Sequence, residues 1–154
     1  MIAADRATAV VALMIFVAGC APGTSSTPAS GSQMPASIVD PYLKIQTALA
    51  QDSMEGLRAN AGNLATAATA LGAPALKIYT SALQLAPADE LTDARMKFTR
   101  VSDAVIAYMT GLGLTPPDGV RVAFCPTTDK TWLQEGPNIS SPYEGSAATC
   151  GEFR

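Results

Sequence analysis

Sulfur is the only side-chain chemistry in this 154-residue chain that could define a reactive or ligand-binding centre, because the sequence contains three cysteines and no histidine. Without imidazole there is no Ser/His or Cys/His pair, no imidazole zinc site and no side chain that ordinarily titrates near neutrality. The carboxylates are scattered along the chain rather than paired in apolar settings, so they assemble no acid–base constellation. The chain therefore reads as non-enzymatic. Cys125 and Cys150 frame a tail rich in Pro and Gly, while Cys20 stands alone near the N-terminus. Two thiolates can hold a soft metal such as Cu(I) or Ag(I). In an oxidising compartment the same two residues form a disulfide.

Cys20 has a context of its own. Arg6 is followed by an apolar run over residues 7–18, too short to span a bilayer comfortably, and this reads as a secretory signal over residues 1–19. Val17-Ala18-Gly19-Cys20 is similar to the bacterial lipobox, in which the cysteine is diacylated and becomes the new N-terminus. Two or more acyl chains anchor stably where one is marginal. Ala21 after the cysteine resembles the pattern of lipoproteins sent to the outer membrane, so the expected location is periplasmic, on the inner leaflet of that membrane. Residues 20–37 are uncharged and dominated by Ser, Pro, Gly and Thr. They read as a disordered tether.

The folded domain is expected over residues 38–154. Hydrophobic residues are 48% of the chain and aromatics only 6%, a surplus of Ala and Leu that favours helix. A net charge of -3 offers no basic surface, which argues against nucleic acid as a partner. Asp40-Pro41 is a helix-start signal, followed by Tyr42, Ile45 and Leu49 on one face. Asp52 with Glu55 forms a capping-box pattern. Beyond it Met54, Leu57, Ala61, Leu64, Ala68 and Leu71 step by three and four until Gly72-Ala73-Pro74. A shorter helix over residues 74–86 would bury Leu76, Tyr79 and Leu83. The last helix, opened by Asp89 and Glu90, would bury Leu91, Ala94, Phe98, Val101, Val105, Tyr108 and Leu112. The spacing predicts a mainly α fold: an up-and-down bundle of three or four helices. A short strand over Val120, Val122 and Phe124 then delivers Cys125 to an irregular Cys-framed C-terminal segment, with room for one short pairing near Trp132.

Several of these residues carry a resemblance. They are Tyr42-Leu43, Ala48-Leu49 and Asp52; Ala94-Arg95, Phe98 and Ser102; and, in the tail, Cys125-Pro126, Trp132-Leu133-Gln134, Pro142-Tyr143, Gly145 and Cys150-Gly151. In these the chain resembles the bacterial periplasmic domain of unknown function that occurs free-standing and fused to adaptor subunits of heavy-metal resistance-nodulation-division efflux pumps. The resemblance covers about residues 40–153. It implies a helical bundle with an ordered C-terminal segment and a periplasmic setting. It also implies a role in copper or related soft-metal handling, with Cys125 and Cys150 as the metal ligands and an efflux-system or other envelope protein as partner. The family typically has Met directly after Cys-Pro and shortly before the final Cys-Gly; here those places hold Thr127 and Ala147-Ala148-Thr149. Thioether and thiolate together select Cu(I). This chain keeps only the two cysteine sulfurs.

Two readings of the tail follow. In one, the protein is a lipid-anchored binding or accessory module that takes up Cu(I) or another soft metal. In the other, a Cys125–Cys150 disulfide, contributing roughly 3 kcal/mol in the chain-entropy model, staples a structural or protein-interaction module without metal. In either, Phe124, Trp132 and Tyr143 read as a small core packing the tail onto the bundle. Arg95 is placed to tie the two together through tail carbonyls or Glu144.

Overall fold

The computed structural model describes residues 32–145 and 150–154. The signal segment, Cys20 and the first part of the expected tether lie outside these residues. Four helices follow in order: α1 (Ala36–Ala50), α2 (Leu57–Leu71), α3 (Leu76–Leu85) and α4 (Leu91–Gly111). A 3-10 turn, Ala73–Ala75, joins α2 to α3. After them come β1 (Val120–Cys125), β2 (Lys130–Glu135) and β3 (Glu152–Phe153). Each helix packs on its neighbour in sequence, which makes an up-and-down bundle. Among the described residues no helix is long and apolar enough to cross a membrane.

The apolar stepping of α2 and α4 is the core. Leu57, Ala61, Leu64 and Ala68 of α2 and Ala94, Phe98, Val101 and Val105 of α4 are buried together with Tyr42, Ile45 and Leu49 of α1. Three boundaries depart from expectation. First, α1 begins at Ala36, so Pro41 lies inside the helix rather than at its start. The cost is the amide bond that Pro41 cannot donate near the helix end. Against it stand Met34, Ile38 and Val39, all buried. Met34 also donates its amide to Thr115 O at 2.9 Å, and Thr115 donates to Ser32 O at 3.1 Å. Residues 32–37, assigned above to the tether, thus belong to the fold.

Second, Asp52 and Glu55 do not form a capping box. α2 begins at Leu57 behind Gly56, whose φ of 68° suits glycine, and no side chain caps it. Asp52 itself turns towards α4. Third, α3 buries Ile78, Ser81, Ala82 and Leu85, while Leu76 and Leu83 are 58% and 47% exposed. Leu76 and Ile78 lie about 200° apart around a helix, so only one of the two apolar stripes can face in. The inward stripe carries Ala82, whose small side chain suits a helix packed against both α2 and α4. Leu112, the last expected inner residue of α4, falls just past the helix end and is 50% exposed.

The sheet has the order β2-β1-β3, all antiparallel. The pairing near Trp132 is a full six-residue ladder, from Val120 opposite Glu135 to Cys125 opposite Lys130. β2 sits between α1 and α4, and its outer edge is not left open. The Leu133 amide donates to the Tyr42 hydroxyl at 3.1 Å, and that hydroxyl is 2.7 Å from Ser102 Oγ on α4. A strand edge covered in this way cannot template another strand.

Candidate functional site

Cys125 and Cys150 are joined by a disulfide, with Cα atoms 5.3 Å apart. The alternation of β1 explains which residues reach it. Ala123 and Cys125 point to one face, where they pack with Trp132 and, around the rim, Ile139, Tyr143, Cys150 and Phe153. Phe124 points to the other face. It was expected in this small core but is instead covered by the Arg154 guanidinium, 3.4 Å from the ring centroid. β3 follows directly from Cys150 and pairs Ala123 with Phe153, so the disulfide and the third strand fasten the same end of the chain. Gly151, at φ 152°, lies so close to Ile139 and Trp132 that a Cβ there would overlap Ile139.

The tail is cross-tied to the bundle by polar groups as well. Gln134 is buried and central: its Oε1 accepts from Trp132 Nε1 at 2.9 Å and from the Ser140 amide at 2.9 Å, and its Nε2 donates to Asn138 O at 2.7 Å. From α1, buried Gln46 donates to Ser140 O at 2.7 Å. Tyr143 donates its hydroxyl to Thr131 O at 3.2 Å and stacks edge-on against Trp132, with centroids 5.8 Å apart.

Arg95 holds the far side. Its Nε donates to Pro142 O at 3.1 Å, and its terminal nitrogen donates to Leu49 O at 2.9 Å and pairs with Asp52 Oδ1 at 2.5 Å. One guanidinium thus joins α4, the end of α1, the α1–α2 connection and the tail. The expected alternative partner is not used: Glu144 Oε2 is buried and has no hydrogen-bond partner. Gly145, at φ 67°, closes over the pair so tightly that a Cβ would fall on the Asp52 carboxylate and the Arg95 guanidinium. Trp132, Tyr143 and Arg95 are therefore brought together around one segment. In the sequence Gln134 stands out only as part of Trp132-Leu133-Gln134. The one signal for Gln46 is a polar residue on the buried face of α1, next to Ile45 and between Tyr42 and Leu49.

This chain matches no family model, no curated protein and no solved structure. Among the described residues no group of three or more Cys, Asp or Glu side chains could hold a metal ion. Both tail sulfurs are in a covalent bond, so thiolate ligands would exist only after reduction. Met34 and Met109 are core residues, and Met96 sits 60% exposed on α4. A surface recess of about 580 Å³ between α1 and the start of α2 is lined by Asp40, Lys44, Glu55 and Glu135 among others. It offers charge of both signs and no nucleophile–base pair. Burial raises the Tyr42 and Tyr143 hydroxyls well above the usual tyrosine range, so both are neutral hydrogen-bonding groups rather than bases.

Proposed function

We propose that this protein is a non-catalytic binding module of the bacterial cell envelope. It is carried on a lipid anchor at Cys20, and its helical bundle presents the cystine-framed tail to an envelope protein. The observation that carries this reading is the fixation of an irregular segment from several sides. Gln46, Arg95 and Gln134 hold residues 138–142 and the disulfide holds Cys150, while Gly136, Pro137 and Asn138 stay exposed. A loop ordered in advance loses little entropy on binding, which is what a recognition surface needs. The disulfide is consistent with an exported protein, since such bonds persist in oxidising compartments. The Cys20 context argues the same way.

Site-specific photo-crosslinking in intact cells tests this. A photoreactive residue in place of Asn138 should give one discrete protein adduct, which disappears when Gln46 and Arg95, which hold this segment, are both replaced by Ala. The same probe at Arg58 on α2 should give none. No adduct at position 138, or one indifferent to the loss of Gln46 and Arg95, would remove the tail as the recognition surface.

A soft-metal reading rests on one observation, the two sulfurs already held together by the fold. After reduction they would form a two-thiolate site of the kind Cu(I) accepts, in keeping with a link to metal efflux. Native mass spectrometry of the reduced protein with anaerobic Cu(I) decides it. One bound copper that vanishes in Cys125→Ser supports the reading; an unchanged apo mass ends it.

A further inference from the structure

We infer that the end of the bundle where the N-terminal segment enters is a seat for the lipid surface. Lipid holds the domain in one orientation there, rather than letting it hang free from the anchor. This rests on the anchor at Cys20 in the reading above. The up-and-down order brings three segments to that end: the entry to α1, the connection between α2 and α3, and the run after α4. The first and third are joined directly by the Met34–Thr115 and Thr115–Ser32 hydrogen bonds, and α4 also touches the Ala73–Ala75 turn of the second.

Charge is distributed very unevenly along the molecule. Residues 32–39, 59–76 and 104–117 contain no Asp, Glu, Lys or Arg at all. The other end of the bundle carries Asp52, Glu55, Arg58, Asp89, Glu90 and Asp93. Around the uncharged end stand Asp40 one turn into α1, Lys77 on α3 and Asp118 in the turn before β1. Of the four exposed large hydrophobic residues among the described ones, Leu76 and Leu112 stand at this end. Beside Leu76 an apolar recess of about 360 Å³ is lined by Ala68, Thr69, Gly72, Ala73, Leu76 and Tyr79. Exposed leucines around a recess without charge are costly in water and suited to the acyl boundary of a bilayer.

The position of the anchor selects lipid over a protein partner. Eleven residues separate Cys20 from Ser32, a reach of at most about 40 Å. The chain enters the fold at the uncharged end, so this is the end the anchor brings nearest to the membrane. Lys77, exposed beside Leu76, is placed to meet lipid phosphates rather than oppose them.

The test uses the full chain, expressed with its own N-terminus in a bacterium that processes lipoproteins. A photoreactive residue replaces Leu76, Leu112 or, as a control at the charged end, Glu90; all three are exposed, so the core is untouched. Membrane retention that depends on Cys20, with lipid adducts from positions 76 and 112 and none from 90, is the expected result. Retention that depends on Cys20, with protein adducts or no adducts at 76 and 112, overturns the seat and leaves the anchor standing. Retention indifferent to Cys20→Ser overturns the anchor itself, and the seat with it. In the lipid-bound protein, hydrogen exchange of residues 72–76 and 112–115 should slow at least tenfold. Leu76→Asp with Leu112→Asp should abolish that protection; protection unchanged in this double variant would count against the seat.

Discussion

The amide of Leu133 points out of the sheet edge and meets the hydroxyl of Tyr42 at 3.1 Å, on a helix 91 residues earlier in the chain. The same hydroxyl contacts Ser102 on α4, so a single buried oxygen joins β2, α1 and α4 where the two helices stand apart. Tyr42→Phe keeps the ring, with its 5.1 Å contact to Phe98, and removes only that oxygen. Ser102 can turn back to a carbonyl of its own helix. The Leu133 amide has no such choice, and an orphaned buried donor costs about 1–3 kcal/mol. Urea denaturation should show a loss of about 2 kcal/mol at unchanged slope, and Ser102→Ala added to Tyr42→Phe should cost less than the sum of the two.

Arg95 and Gly145 form a second such joint, and they make opposite demands. The guanidinium needs three partners in three directions, so Arg95→Lys should behave like Arg95→Ala rather than rescue it. Hydrogen bonds to a charged group are worth about 1.5–3 kcal/mol, and part of that is lost to solvent because Asp52 is 41% exposed. A loss of about 1–2 kcal/mol by thermal denaturation is expected for either substitution. Gly145→Ala attacks the same joint from the tail side. It strains a φ of 67° and drives a Cβ into the ion pair, so it should cost more than Arg95→Ala does.

Removing the disulfide tests how the tail is held. The bond closes a loop of 25 residues in sequence separation, for which the chain-entropy model gives about 3 kcal/mol. Cys125→Ser with Cys150→Ser should lower stability by about that amount. The local effect should be uneven. Hydrogen exchange of the Arg154 amide, which donates to Val122 O at the end of the short β3, should rise sharply. Residues 138–142 should change little, because Gln46, Gln134 and Arg95 still hold them.

These joints also show what the sequence could and could not disclose. α2 and α4 were legible because their buried residues recur with helical period and nothing competes. α1 starts before the place its sequence marks, since Asp40-Pro41 is a sound local signal that the burial of Met34, Ile38 and Val39 overrides. α3 offered two apolar stripes, and only the packing of α2 and α4 decides between Leu76-Leu83 and Ile78-Leu85. β3 has two residues and no pattern; it exists because the disulfide delivers Glu152 and Phe153 to the free edge of β1. For the tail, Trp132, Tyr143 and Arg95 announced themselves by type. Gln46 and Gln134 did not, because a buried amide is recognisable only once its partners are in place.

Alkaline titration gives the last prediction, and its sign follows from burial. Tyr42 and Tyr143 ordinarily ionise near 10.0, and in the fold burial raises both well above that value. A group whose folded pKa is raised contributes its full stability below the unfolded pKa and loses it as pH climbs towards the folded one. Neither tyrosine should therefore affect stability between neutrality and about pH 9. Above pH 10 the unfolded chain releases both protons while the folded chain keeps them, so stability should fall by about 1.4 kcal/mol per pH unit for each group. Tyr42→Phe removes one of the two. It should start less stable at pH 8 yet lose stability with roughly half the slope above pH 10, measured as urea midpoints across the range. Equal slopes in the two proteins would mean that the Tyr42 hydroxyl is solvated, and that the joint between β2, α1 and α4 is not closed.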